Sequence, residues 1–316
     1  MAVASMLIHG GFVVRPDHRS ADEAEYRANA IDGVLTKATA ILRGGGLAKD
    51  ACVLALKLLE DDPVFNAGRG ASLTQDGFVE LDAMIVDGGT RRFSSVAAVR
   101  NFANPILIAD ALLNGPTSSL VGDGAERFAR SIGLEPCSAE SMVTARAKAI
   151  SNESALLGPS EEGTIGAVAL DQHGNLVAAS SSGGLPNKPP GRISDSCMPG
   201  LGAFARNETA ALTCTGQSEI ITRLTVSRDV VALMEFRQMP FINASEAVGA
   251  RINRLGGGAG YIGISRLGEM VVFGSSPNMS WAGWNDAGFH LASSYIPHVS
   301  TGFGVMNIFS YSSKGE

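Results

Sequence analysis

The chain has 316 residues, of which 45% are apolar and 18% charged, and it carries a formal net charge of −6. This composition excludes an intrinsically disordered chain, and the lack of a basic block argues against nucleic-acid binding. With no uncharged apolar stretch of about 18 residues, no N-terminal secretory signal and no CxxC pair, we expect no membrane span and a cytoplasmic location.

In the first half of the chain, helical patterns alternate with short apolar runs. Residues 1–8 are a candidate strand that ends at His9-Gly10-Gly11, and a capping box of Ser20 and Glu23 predicts a helix that extends to about Arg43. Further helices are predicted at residues 47–60, 104–113 and 124–132, and strands at residues 78–86 and 95–99. Residues 135–162 have no strand pattern, which indicates a helix fragment followed by a mobile linker.

The second half contains two hairpins and two helices. Apolar runs at 165–170 and 176–180 flank Asp171-Gln-His-Gly-Asn175, and a similar pair of runs lies at 261–265 and 269–274. A strand is predicted at 209–215, and helices at 219–236 and 244–255. Separate groups of helices and hairpin-linked strands predict an α+β layered domain with mostly antiparallel sheets, not a doubly wound parallel fold.

Most familiar catalytic motifs are absent from the sequence. It has no Walker loop, HExxH or GxSxG, and its five histidines show no metal-ligand spacing. The GxGxxG at residues 258–263 enters a predicted strand instead of leaving one for a helix. Turn glycines therefore explain this motif better than a dinucleotide site does.

Thr164 is a candidate nucleophile because it stands where the predicted linker meets a strand. A threonine hydroxyl needs an adjacent base, and a free α-amine on the same residue, with a pKa of roughly 7.7–8.0, is such a base. Exposing that amine requires cleavage before Thr164, which the flexible Gly163 would assist. Taken alone, an ordinary threonine at the start of a strand is the commoner explanation of this pair.

Three neighbouring segments favour the catalytic interpretation. Hairpin pairing would bring residues 180–184 alongside Thr164. Arg192 could clamp a carboxylate and Asp195 an ammonium group, although a local salt bridge would also explain that pair. Thr215 precedes a predicted helix, where its hydroxyl and the backbone N–H groups could form an oxyanion hole. The alternative for Thr215 is an ordinary N-cap.

Four segments resemble the plant-type L-asparaginase / isoaspartyl peptidase family of N-terminal nucleophile hydrolases. They are GTIGAVALD at 163–171, HGNLVAASSSGG at 173–184, NKPPGR at 187–192 and CTG at 214–216. Further matches are His9-Gly-Gly, DDPVFNAGRG at 61–70 and ELDAMIVDG at 80–88. The resemblance extends from about residue 7 to residue 284 and therefore covers nearly the whole chain.

The resemblance implies a four-layer αββα sandwich and a single domain over residues 1–316. The precursor would cut itself between Gly163 and Thr164 into an α chain (1–163, with the linker at about 135–163) and a β chain (164–316). Mature enzymes of this family usually form (αβ)₂ dimers. The implied activity is hydrolysis of L-asparagine or β-aspartyl peptides, whose free α-amine and α-carboxylate the site would recognise, through a β-aspartyl ester on the threonine.

The same resemblance assigns the site residues. Thr164 would be nucleophile and base, Ser182 its hydroxyl partner, and Thr215 with Gly216 the oxyanion hole. Asn66 would lie beside the nucleophile. Substrate would be held by Arg192 at its α-carboxylate, Asp195 at its α-amine, and Gly216 and Ser218 in the pocket wall. The chain would need no catalytic cofactor, but a structural sodium ion would bind to the backbone carbonyls of Leu59, Glu60, Asp62, Phe65, Ala67 and Arg69.

Three serines depart from the family pattern. Ser182 replaces a threonine, and Ser194 and Ser218 replace glycines, of which the second would be strained at a positive φ. These changes leave two alternatives open: a catalytically impaired relative that binds an amino acid or a partner, and a threonine-aspartase-like endopeptidase. The sequence does not decide between asparagine and isoaspartyl peptides.

Overall fold

Two β-sheets pack face to face in the computed structural model, which describes residues 2–12, 21–157, 163–256 and 258–296, together with the backbone of 305–307. The larger sheet has the strand order β12-β11-β1-β5-β6-β2-β3-β4. Its strands, numbered in chain order, are β1 (Ser5–Phe12), β2 (Leu81–Asp87), β3 (Phe93–Val99), β4 (Ser119–Val121), β5 (Ile165–Leu170), β6 (Leu176–Ser182), β11 (Met279–Asn285) and β12 (His290–Ser293).

The smaller sheet has the order β13-β10-β9-β8-β7. Its strands are β7 (Ala203–Ala205), β8 (Ala210–Gly216), β9 (Ala259–Ser265), β10 (Met270–Gly274) and β13 (Val305–Asn307). Among the described strands, β3 and β4 are the one parallel pair, and every other pairing is antiparallel. The predicted α+β class with mostly antiparallel sheets is confirmed.

Helices cover the outer face of each sheet. Those against the larger sheet are α1 (Ala21–Arg43), α2 (Ala48–Asp61), α3 (Pro105–Leu112) and α4 (Gly122–Ser131). Those against the smaller sheet are α7 (Ser218–Leu224), α8 (Val226–Arg237) and α9 (Phe241–Arg254). The result is the predicted αββα sandwich. None of the helices in the described part of the chain is long and apolar enough to cross a membrane.

Each interface between layers has its own apolar core. In β5, Ala167 and Ala169 pack toward the helices, whereas Val168 and Leu170 pack toward the smaller sheet. Successive side chains of a strand point to opposite faces, so a strand that is buried on both faces becomes a continuous apolar run. A third cluster, which includes Leu212 of β8, lies between the smaller sheet and its helices.

The structure differs from the sequence predictions in three respects. The single helix predicted at 219–236 is broken at Thr225, which has the left-handed φ of 48° between α7 and α8. Strands β4, β7, β11, β12 and β13 were not predicted. Residues 135–162 contain two helices, α5 (Ala139–Met142) and α6 (Ala145–Leu157), while 158–162 and the Ser20 cap lie outside the described residues.

Helix α6 is held against a later loop by a reciprocal side-chain pair. The Ser151 hydroxyl donates to Asn187 Oδ1 at 2.6 Å, and Asn187 Nδ2 donates to the Ser151 carbonyl oxygen at 2.8 Å. The segment predicted as a linker therefore touches the Asn187–Arg192 loop in the uncut chain.

Candidate active site

Thr164 lies at the head of β5, in the middle of the larger sheet, and is only 3% exposed. Strand β5 pairs with β1 through His9 and Gly166, and with β6 through Ile165 and Ser181. Continuing the second register by one residue places Ser182 opposite Thr164. The predicted hairpin therefore brings this hydroxyl beside the candidate nucleophile.

The hydroxyl of Thr215 reaches across from the smaller sheet to the Gly163–Thr164 bond. Thr215 Oγ1 accepts the Phe12 N–H at 3.0 Å, and the Gly163 N–H donates to the Phe12 carbonyl oxygen at 2.8 Å. A Cβ on Gly163 would collide with Thr215 Oγ1. Only glycine fits at position 163, and the Gly163–Thr164 bond, where cleavage is predicted, lies where the two sheets meet.

Gly216, immediately after Thr215, also has to be glycine. Its φ is +118°, and a Cβ would lie 2.6 Å from the Cα of Ala259 on the neighbouring strand. A real side chain does not approach backbone so closely, and the positive φ adds strain for any other residue. Gly216 is therefore required by its positive φ and by the close approach of its backbone to residues 258–259.

Asn66 shapes the turn that follows Ser182. Its Nδ2 donates to the Gly184 carbonyl at 2.7 Å, and its own carbonyl accepts the Gly183 N–H at 2.9 Å. Ser182 Oγ in turn accepts the Gly184 N–H at 3.0 Å. Asn66 thereby fixes the end of β6 on which Ser182 stands.

Arg192 and Asp195 lie in a second cluster, joined to the first by the continuous segment from Thr215 to Ser218. Arg192 borders a cavity of about 540 Å³ and forms a 2.6 Å ion pair with Glu219. Asp195 is buried, and among the described residues neither carboxylate oxygen has a hydrogen-bond partner. Burial raises the pKa of Asp195 to about 7, although the Ser218 hydroxyl and the Arg192 charge oppose this shift.

The ion pair suggests a competition for Arg192. A substrate carboxylate would have to displace Glu219, whose side chain is 65% exposed. An exposed pair stabilises by up to about 1 kcal/mol, so Glu219→Gln should lower the KM for a substrate carboxylate by up to about fivefold. Steady-state kinetics at low salt would measure this change, with Glu246→Gln on α9 as a control; an unchanged or higher KM for Glu219→Gln would contradict the competition.

The serine replacements cause no backbone strain. Ser218 is the first residue of α7 and does not have a positive φ, and Ser194 has a φ of −111°. The strain considered for Ser218 at a positive φ is therefore not found. The Ser218 hydroxyl instead accepts the Asp195 N–H at 2.7 Å, so this serine supports the backbone of the residue predicted to bind an amine.

His9 is a neutral imidazole close to the candidate nucleophile Thr164. The sequence predicted for it only a place at the end of the first strand. Burial lowers the pKa of His9 to about 3, and the nearby Thr164 backbone opposes this effect. A Cβ on Gly166 would collide with His9 Nε2 and lie 2.5 Å from Thr213 Oγ1. The two side chains therefore border Gly166, two residues after Thr164.

The loop predicted to bind sodium converges on Gly68. A Cβ there would collide with the carbonyl oxygen of Glu60 and lie 2.6 Å from that of Ala103. Of the other predicted carbonyls, those of Asp62, Phe65 and Ala67 each accept a backbone N–H within the loop. Among the described residues, no group of three or more His, Cys, Asp or Glu side chains could hold a metal ion.

The Glu60 side chain is buried behind this loop. Its Oε1 accepts the Ser181 hydroxyl at 2.7 Å and the Ile106 N–H at 3.2 Å. Burial is the main cause that raises its pKa from 4.5 to about 8, partly offset by these bonds. Glu60, on α2, is therefore a protonated carboxyl at neutral pH, and the Ser181 that it contacts immediately precedes Ser182 on β6.

This raised pKa predicts a pH dependence of stability. The folded protein keeps a proton on Glu60 up to about pH 8, whereas the unfolded chain loses it near 4.5. The folded state binds more protons in that window, so the contribution of Glu60 falls as pH rises from 4.5 to 8. Glu60→Gln should gain stability relative to the wild type across this window in urea unfolding, while the exposed Glu25→Gln should not; parallel pH profiles would contradict the prediction.

A four-layer αββα sandwich with a threonine at the head of a central strand is the arrangement of the N-terminal nucleophile hydrolases. Comparison with known proteins agrees with this class. The sequence model of the asparaginase family matches residues 2–292, so the chain belongs to that family. It is 36% identical over 304 residues to the isoaspartyl peptidase of Salmonella typhimurium, covering 91% of this chain and 97% of that protein. It is also 37% identical over 287 residues to the isoaspartyl peptidase/L-asparaginase of Rattus norvegicus, covering 88% of this chain and 85% of that protein.

Proposed function

We propose that this protein is a self-cleaving amidohydrolase that hydrolyses the side-chain amide of L-asparagine, releasing ammonia, or the β-aspartyl bond of a peptide, releasing the amine. The observation that carries the proposal is the placement of the Gly163–Thr164 bond against the Thr215 hydroxyl, at the junction of the two sheets. The names of the relatives support the substrate class.

Self-cleavage begins when Thr164 Oγ adds to the Gly163 carbonyl carbon. The C–N bond breaks, the proton lost by the hydroxyl ends on the new Thr164 amine, and Gly163 becomes an ester on Oγ. Water then hydrolyses this ester to a Gly163 carboxylate and a free threonine. The new α-amine, with a pKa of roughly 7.7–8.0, is the base for later turnovers.

Substrate turnover repeats this chemistry on another carbonyl. Thr164 Oγ attacks the side-chain carbonyl of the aspartyl unit, and the Thr215 hydroxyl and the backbone donors near Gly216 stabilise the oxyanion. Ammonia or an amine leaves with a proton, and water hydrolyses the β-aspartyl ester. Arg192 takes the α-carboxylate of the substrate and the ionised Asp195 its α-ammonium, with Gly216 and Ser218 in the pocket wall.

Intact mass of the purified protein tests the first step. Incubation at neutral pH should convert the 316-residue chain into pieces of 163 and 153 residues, the second beginning at Thr164. Cleaved protein should then release ammonia from L-asparagine or an amino acid from a β-aspartyl dipeptide. A chain that stays whole and inactive after prolonged incubation would overturn the proposal in favour of an impaired, binding-only relative.

Two finer points belong to the same proposal. A sodium ion would bind to the carbonyls of the 59–69 loop and would hold Asn66 in place; replacing Na⁺ by a bulky organic cation should then lower the melting temperature.

The cut protein would work in the cytoplasm as an (αβ)₂ homodimer. Light scattering after chromatography would measure the mass of this assembly.

A further inference from the structure

Residues 80–82, at the start of β2, anchor the loop that carries Arg192 at three points. The Glu80 carbonyl oxygen accepts Lys188 Nζ at 2.9 Å, and Glu80 Oε2 accepts the Gly191 N–H at 2.7 Å. Asp82 Oδ2 accepts both the N–H and the hydroxyl of Ser194, at 2.8 and 2.9 Å. These bonds bracket Arg192 on both sides and end one residue before Asp195.

The three charged anchors are buried, which makes the arrangement costly to break. Glu80, Asp82 and Lys188 are each no more than 2% exposed. Buried charges are tolerated when they are paired and hydrogen-bonded, and removing one partner leaves the others uncompensated. The loop is thus attached to the sheet by groups whose bonds water does not readily replace.

One side chain and one backbone N–H hold these two carboxylates in place. Glu80 Oε1 accepts Arg100 Nη2 at 2.6 Å, which fixes the side chain that reaches Gly191. Asp82 Oδ1 accepts the N–H of Ala98, whose φ of 52° is unusual for an alanine within a strand. A strained residue persists only where neighbouring structure over-determines it, as the Asp82 contact does here.

The two carboxylates, Glu80 and Asp82, differ in how closely their contacts connect them to Thr164. Asp82 is the register partner of Ser182, so its substitution would disturb both clusters. Glu80 precedes the first residue of β2, and its described contacts go to Lys188, Gly191 and Arg100. Glu80 is therefore the anchor that can be changed without touching the Gly163–Thr164 bond.

We propose that Glu80 is a positioning residue for substrate recognition: its carboxylate holds Gly191 so that the adjacent Arg192 guanidinium meets the substrate carboxylate. Asp82, through Ser194, does the same for Asp195. This inference rests on the proposed substrate role of Arg192 and Asp195. Glu80 does not touch the reacting atoms, so its loss should affect binding more than chemistry.

The test separates binding from self-cleavage, which uses Thr164 but does not need Arg192. Glu80→Ala should raise the KM for L-asparagine or a β-aspartyl dipeptide by about 10- to 100-fold. Its kcat should change by less than about threefold, and cleavage before Thr164 should proceed as in the wild type. Glu80→Gln keeps an acceptor for Gly191 and should recover most of the affinity.

A matched control is available on the other side of Arg100. Glu126 is a buried carboxylate that accepts the Arg100 N–H at 3.2 Å and, among its described contacts, does not reach the Arg192 loop. Glu126→Ala should leave KM unchanged. If Glu80→Ala does not fold, Ser194→Ala removes the hydroxyl bonds to Asp82 and to Ser196 but keeps the backbone bond to Asp82. It should still raise KM, by about two- to tenfold, with self-cleavage intact.

Three results would overturn the inference. An unchanged KM in Glu80→Ala would do so, or in Ser194→Ala if Glu80→Ala does not fold. A loss of self-cleavage that matches the loss of turnover would also do so, because a purely structural role predicts that pattern. An Arg192→Ala variant with normal KM would remove the proposed substrate role itself. If Arg192→Ala raises KM and the other two variants do not, the proposed function stands and only the positioning role of Glu80 fails.

Discussion

Replacing Thr164 with alanine should leave the protein as one uncut chain and lower amide turnover by roughly 10⁴-fold or more. The hydroxyl is the proposed nucleophile of both reactions, and the base for the second reaction exists only after the first has freed the amine of the same residue. One substitution thus removes the nucleophile and prevents the base from forming. No other single change in the site should have so large an effect.

Intact mass and ammonia release would measure these two losses in the same preparation. Thr164→Ser keeps an oxygen nucleophile, so it should still cleave, although more slowly because the methyl group that restricts the rotamer is missing. Thr90→Ala, in an exposed turn, should behave as the wild type. A Thr164→Ala protein that is cleaved or active would contradict both the site and the mechanism.

Arg192→Ala should lower kcat/KM for L-asparagine by about 10²- to 10³-fold while leaving self-cleavage unchanged. Truncating one partner of a buried, hydrogen-bonded charge pair costs about 2–5 kcal/mol, or about 30- to 5,000-fold, and the expected loss lies within this range. Self-cleavage acts on the chain's own peptide bond and offers no free α-carboxylate. The two reactions should therefore separate in this variant, whereas both fail in Thr164→Ala.

Kinetics of the cleaved Arg192→Ala protein would test this separation. Arg192→Lys keeps the charge but loses the planar two-pronged donor, so it should recover only part of the affinity. Arg223→Ala, an exposed arginine on the same helix as Glu219, is the matched control. If Arg192→Ala lowers kcat/KM equally for L-asparagine and for a substrate that lacks the α-carboxylate, Arg192 does not bind that group.

Local signals explain which parts of the fold were predictable. The β5–β6 hairpin was, because its two apolar runs flank a turn in which the Asp171 carboxylate accepts the N–H groups of His173 and Asn175. Strand β11 was not, since its sequence MSWAGWN has no β-branched residue and its position between β1 and β12 depends on pairing with the far end of the chain. The break at Thr225 likewise has no glycine or proline to mark it.

The same distinction between local and long-range signals applies to the candidate site. Gly163 and Thr164 stand out in sequence because a linker composition meets an apolar run, and the spacing of Arg192 and Asp195 predicted their shared loop. The contact of Glu219 with Arg192, the burial of His9 and the anchoring by Glu80 link residues far apart in the chain. Glu80 had one signal, its place in the ELDAMIVDG segment, but no local pattern gave it a role.

The strand order of the larger sheet has a consequence for the cut protein. Strands β5 and β6 from the second piece lie between β1 and β2 from the first, so the larger sheet needs both pieces, whereas the smaller sheet comes entirely from the second. Cutting should leave a single cooperative unit that melts in one transition. Once melted, however, it becomes two separate polypeptides, and recovery requires a bimolecular encounter. Heat unfolding should therefore be reversible before processing and concentration-dependent or irreversible after it, so the unfolding rate sets how long the mature enzyme stays active.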